Sequence, residues 1–270
     1  MPQLDVPLQR LRFGETRRRD AWWLTPLLTF IVYTSFVVYV TWALFQGANY
    51  WVEGTGYLSP LYSPELLGDS PHSLFGAFPD WWPRHIIPAS PAILILIFPL
   101  AFRMTCYYYR GAYYKAFWAD PINCAVGEPR TEYRGEQKLP LIVMNIHRYA
   151  LYFALIFIGL LAHDVYKAMW FLDPSTGQES FGLGIGTLVL AVNVTLIGGY
   201  TLGCHSLRHL VGGFIDEISK KPLKKKAYDC VSCLNRQHPK WAWFSMLWVG
   251  WTDIYIRLLA TGVISDWRLF

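Results

Sequence analysis

Charge is what this chain has least of. Only 16% of its 270 residues are Asp, Glu, Lys or Arg, against about 25% in an ordinary soluble domain. Five cysteines in a chain of this length are too few for a disulfide-stapled secreted scaffold. No collagen-like or heptad repeat and no internal repeat of solenoid length is present. Disorder is excluded from the other direction, because aromatic residues make up 17% of the chain and disordered segments are poor in them. With 53% apolar residues, the chain is either a large buried helical protein or an integral membrane protein.

Five apolar segments decide between these. A bilayer core needs about 20 mainly apolar helical residues, and residues 23–46, 88–109, 139–166, 183–211 and 241–263 each supply such a run. The first follows Arg10, Arg12, Arg17, Arg18 and Arg19. It is too long for a signal peptide's apolar region and has no small-residue cleavage site, so it reads as a span. Pro91 and Pro140 sit near span starts, where proline is tolerated, and Pro99 predicts a mild kink in the second span.

The placement of Lys and Arg sets the topology. They concentrate in the N-terminal segment, in the second connection (Arg110, Lys115, Arg130, Arg134, Lys138) and in the fourth (Lys220, Lys221, Lys224, Lys225, Lys226, Arg236, Lys240). The first connection has only Arg84 and the third only Lys167. The expected fold is an all-α integral membrane protein, one domain over residues 1–270. It is a five-transmembrane-helix bundle with a cytoplasmic N-terminus and the C-terminus outside. This orientation also accounts for the net charge of +5 without nucleic acid. Residues 47–87, rich in Pro, Gly and Ser, are expected to fold over the outer face. The lysine-rich fourth connection, with Cys230 and Cys233, is expected to be a mobile loop.

Ionisable or metal-binding residues inside a span are costly and point to function. Three stretches lie in the predicted cytoplasmic half: Arg103 to Arg110 with Cys106, Asn145 to Tyr149 with His147, and Cys204 to His209. A rise of about 1.5 Å per residue puts Cys106, His147 and His205 within roughly one turn of a common depth. Cys124 lies on the connection joining spans two and three. His205 and His209, four apart, share a helix face, and Cys204 points about 100° away from His205. Gly182 and Gly186, and Gly199 and Gly203, leave room for a neighbouring helix or a flat cofactor. His163 lies about 24 Å along the helix from His147 and belongs to the other face of the membrane; His72 and His85 are also on the outer side. Cys230 and Cys233, with His238, resemble half of a metal site, and His238 is a reserve ligand just before span five.

Two redox centres fit these side chains. A b haem needs two axial histidines, for instance His147 with His205; a Rieske-type [2Fe–2S] centre needs two thiolates and two histidines. Arg148, Arg208 and Arg110 are placed to stabilise charge on a reduced quinone oxygen, and Tyr108 and Trp118 are placed to wall such a pocket.

The stretches Thr105-Cys106-Tyr107-Tyr108-Tyr109-Arg110, Ala119-Asp120-Pro121 with Cys124, His147-Arg148-Tyr149 and Cys204-His205-Ser206-Leu207-Arg208-His209 resemble the membrane-anchor subunit of actinobacterial succinate dehydrogenases (complex II), the single five-helix type. The resemblance runs over nearly the whole chain. It implies a multi-pass subunit of the bacterial plasma membrane, not catalytic alone, that binds flavoprotein and iron–sulfur partners on the cytoplasmic face. Electrons would pass to a quinone, menaquinone or ubiquinone. Five-helix relatives with two b haems use histidines on four helices, and spans one, two and five here lack an internal histidine. The actinobacterial type looks like one with a Rieske-like cluster, and the resemblance implies Cys106 and Cys124 with His147 and one of His205 or His209 as ligands. A b-haem quinol anchor of another respiratory dehydrogenase is the alternative.

Overall fold

A computed structural model of the chain describes residues 20–117, 139, 141–173, 176–213 and 216–270. Helix α1 (Leu24–Gln46) comes first. The second apolar segment holds three helices in succession: α2 (Pro91–Ile95), α3 (Ile97–Met104) and α4 (Tyr107–Phe117). A 3₁₀ turn, Leu141–Ile146, leads into α5 (His147–Lys167). Strands β1 (Trp170–Leu172) and β2 (Glu179–Phe181) pair antiparallel. Then follow α6 (Ile185–Leu202), α7 (His205–Gly212), α8 (Pro222–Arg236) and α9 (His238–Ala260). The described chain is therefore mostly helical, with one two-stranded ribbon that the all-α reading lacks.

Among the described residues, three helices are long and apolar enough to cross a membrane: Leu24–Gln46, Ile142–Lys167 and Ile185–Leu202. They present apolar side chains outward, as α1 does with Val37, Val38, Trp42 and Phe45. A helix that is apolar all round needs either a protein interior or lipid around it. α9 has 23 residues but contains Lys240, Asp253 and Arg257.

The second segment is broken rather than mildly kinked. Pro99 has no N–H to donate to Ile95, and its ring crowds that carbonyl. The helix breaks there, α2 closing on Leu96, whose N–H still reaches Ala92 O. A second break at Thr105 and Cys106 turns the chain into α4. The fourth segment also breaks. Glycine is the residue at that corner, and a Cβ on Gly203 would meet Gly199 O at 2.8 Å and Leu234 at 3.1 Å. Cys204 then takes an extended conformation (ψ 141°) as the N-cap of α7, and its sulfur accepts from Ser206 N–H.

α6 packs on α9 and α5, α3 on α5, α1 on α4 and α9, and α7 on α8. The α6–α9 approach is close because Gly199 faces Trp241; a Cβ there would lie 2.6 Å from the indole. The small-residue pair thus admits a neighbouring helix, as Gly186 admits the ring of Tyr57. The fourth connection is not a loop: residues 222–236 form α8, which buries Val231 and leaves its lysines, Cys230 and Cys233 exposed. Lysine is a good helix former, so a basic run does not preclude a helix.

Residues 47–90 build a cap over one end of the bundle. Tyr50, Leu58, Leu61 and Tyr62 form a core with Ala43, Ala92 and Val249, and the Tyr50 and Tyr62 rings stack at 4.4 Å. Its buried Glu65 accepts hydrogen bonds from Tyr50 and Ser70.

Candidate functional site

The opposite end of the bundle holds the sulfur- and nitrogen-bearing side chains. The break after α3 turns Cys106 inward, and the break after α6 does the same for Cys204. The 3₁₀-to-α transition sets His147 at the first position of α5. His238 opens α9, three residues before the predicted start of span five. All four are buried: Cys106 3%, Cys204 1%, His147 8% and His238 8% exposed.

They meet as two thiol–imidazole pairs. His147 Nε2 lies 3.0 Å from Cys204 Sγ, and His238 Nε2 lies 3.6 Å from Cys106 Sγ. The other nitrogen of His147, Nδ1, is held by Thr105 Oγ1 at 2.9 Å, while Thr105 itself donates to Ala101 O. Thr105 Oγ1 therefore accepts from a protonated Nδ1, which leaves the Nε2 lone pair for the Cys204 side. Aromatic rings tie the pairs together. Phe102 stacks on His147 (centroids 4.6 Å, 7° between planes), Tyr200 stacks on His238 (4.9 Å), and Phe102 meets Tyr200 edge-on (5.5 Å). Two buried polar atoms here lack a hydrogen-bond partner, His238 Nδ1 and the Tyr200 hydroxyl. Buried polar atoms are normally satisfied, so an orphan calls for an explanation.

The sequence reading and this geometry share Cys106 and His147. His205 and His209 do not join them: both are exposed, and their Nε2 atoms pair with each other at 2.9 Å. The break at Gly203 resets the helical phase, so Cys204 enters the interior and the histidines after it leave. Cys124 and Trp118 lie outside the described residues. Cys204 and His238 take the inward places instead. The signal for His238 was its position beside Trp241, whose approach to Gly199 draws the start of α9 onto α6.

Among the quinone candidates, Tyr108 accepts a hydrogen bond from Trp243 Nε1 at 2.7 Å. Arg148 is exposed. Arg208 bonds Ser232, packs over Tyr228, and with His209 lines an open recess of about 300 Å³ that also includes Asp216.

Arg103, which opens the Arg103 to Arg110 stretch, packs on the Tyr200 ring that stacks on His238. Its Nη1 donates to the Tyr109 hydroxyl (2.6 Å) and Ala242 O (3.4 Å), and its Nη2 to Ser245 Oγ (3.0 Å). Its guanidinium carbon lies 4.8 Å from the Tyr200 ring centre. Among the described residues no carboxylate lies within ion-pair distance of it.

Among the described residues, no three His, Cys, Asp or Glu side chains converge as a site for one metal ion. The donor set, two soft thiols and two imidazoles, contains the ligand types of a Rieske-type centre, here paired thiol to imidazole. Axial ligation of a haem by His147 and His205 does not match it, because His205 faces outward.

The described chain is mostly helical and has three helices long and apolar enough to cross a membrane, the class of a helical membrane protein. The family described as actinobacterial succinate dehydrogenase subunit SdhC matches residues 24–262, and the chain belongs to that family. It is similar to a chain in the structure of the Mycobacterium smegmatis Sdh1 complex in the apo form, with 41% identity, 97% of each chain covered and a TM-score of 0.82. No protein with a curated description matches it. As an SdhC-family member it is a membrane-anchor subunit of a succinate dehydrogenase complex and associates with other Sdh subunits.

Proposed function

We propose that this chain is the electron-transferring anchor of a succinate:quinone oxidoreductase in the bacterial plasma membrane. It fixes flavoprotein and iron–sulfur subunits to the bilayer. Cys106, Cys204, His147 and His238 would hold a Rieske-type [2Fe–2S] centre, which would supply one-electron transfer between the iron–sulfur subunit and quinone. The observation that carries this reading is the meeting of two buried thiols and two buried imidazoles from four separate segments.

When bound, such a centre accepts and releases single electrons. The chain's own residues do the rest. Thr105 fixes the tautomer and ring plane of His147, the role outer partners play for metal-bound histidines. Phe102 and Tyr200 wall the imidazoles and keep water out. Arg208, which lines the open recess, is the residue assigned to meet a quinone oxygen.

The arrangement in the membrane is a single domain of five crossings: α1, the broken α2–α3–α4 segment, α5, the broken α6–α7 segment and α9. The N-terminus and the lysine face of α8 lie on the cytoplasmic side, where the partner subunits dock, and the cap of residues 47–90 lies outside. The bias of Lys and Arg among the connections supports this orientation.

The test is electron paramagnetic resonance and iron analysis of the purified complex with and without Cys204→Ser. The variant is expected to lose one reduced-state iron–sulfur signal and about two irons per complex, the content of one [2Fe–2S] centre. Unchanged signals and iron content overturn the ligand assignment. Haem released from the complex, with every iron–sulfur signal indifferent to Cys204→Ser, overturns the choice of centre.

A further inference from the structure

Arg103 is the feature the proposed function leaves unused. Placing a guanidinium inside a membrane protein is costly, and such residues usually pair with a carboxylate or serve a function. All the described partners of Arg103 are neutral: the Tyr109 and Ser245 hydroxyls, the Ala242 carbonyl, and the faces of Tyr200 and Tyr109. These dipoles orient the cation and leave its unit charge uncompensated. The charge sits beside the ligand set. Cys106 N–H donates to Arg103 O, and the Tyr200 ring that the guanidinium covers also stacks on His238.

We propose that Arg103 is a fixed counter-charge that stabilises the reduced state of the redox centre held by Cys106, Cys204, His147 and His238. The inference rests on the function proposed above. Such a centre would take one electron from the iron–sulfur subunit and give it up to quinone, and while holding that electron it would be one unit more negative. A cation over the ring that stacks on His238 favours the more negative state, and surroundings of low dielectric strengthen the effect. Arg103 is in this sense a positioning residue: it touches neither iron nor quinone and acts on the reduction equilibrium alone.

Arg103→Gln in the whole complex is expected to shift that equilibrium about tenfold toward the oxidised state. This corresponds to a midpoint about 59 mV more negative for a one-electron couple, measured by redox titration of the signal that Cys204→Ser removes. Arg103→Lys keeps the charge and is expected to hold the midpoint close to the native value. Ser245→Asp retains the arginine but neutralises it, is expected to reproduce the negative shift, and decides the matter if Arg103→Gln does not assemble. A midpoint unmoved in the assembled neutral variants, with the signal intact, overturns the role of Arg103 and leaves the centre standing. Absence from the native complex of any signal sensitive to Cys204→Ser removes the centre, and this inference with it.

Discussion

The bundle holds an arginine near each end, Arg257 buried and Arg103 half-buried, and the two are solvated differently. Arg257 lies 2.7 Å from Asp253, donates to Ala48 O at 2.8 Å and to Tyr62 at 3.0 Å, and packs over Trp42. Asp253, fully buried, also accepts from Tyr39 and Ser59. That centre is electrically closed, and it ties α9 to α1 and to the cap. Arg103 has as many contacts and, among the described residues, no carboxylate. One arginine is a clamp; the other leaves positive charge over the ring that stacks on His238. The same residue type therefore does different work, and the partner set tells which.

The sharpest way to break the comparison is to open the closed centre. Asp253→Asn strands the Arg257 charge and is expected to cost about 3–5 kcal/mol, the usual penalty for halving a buried pair. Thermal unfolding and yield of the complex read this, while the redox midpoint at the other end should stay put. Thr105→Val acts at the open end. It removes the hydrogen bond to His147 Nδ1 and is expected to weaken retention of the metal centre about 10–100-fold. Iron content after chelator challenge measures that loss.

A smaller effect separates the ends by pH. His72, in the cap, has a buried Nε2 without a hydrogen-bond partner, and burial, aided by the positive charge of Lys167, lowers its pKa to about 4. The fold holds His72 neutral, so its contribution is fully present above the unfolded value of about 6.5 and is lost as pH falls from there toward 4. Limited proteolysis of the cap should therefore accelerate across that window, and His72→Gln should flatten the response. The smallest expected change is at His205. It is exposed and pairs only with His209, so His205→Ala should alter the iron–sulfur signal less than twofold. Loss of the signal would return His205 to the ligand set.

Much of the architecture was readable beforehand. The runs at 23–46, 139–166 and 183–211 overlap the three helices capable of crossing a membrane, because a long apolar stretch without charge has few other ways to satisfy its backbone. The site was half legible. Cys106 and His147 follow from counting inward along helices. Cys204 and His238 do not, because the first depends on a change of helical phase at Gly203 and the second on where α9 begins. Counting assumes an unbroken helix, and this chain breaks two segments next to the residues that matter.

Composition and charge placement on their own determined that this protein is helical, apolar on its outside and asymmetric in its basic connections, because each of these is a property of single segments. Which thiol faces which imidazole, and which arginine is left without a carboxylate, only the tertiary structure decided. The thiol–imidazole relations join side chains 57 and 132 positions apart, set by the corners at Leu96, Thr105 and Gly203 and by the fit of Trp241 against Gly199.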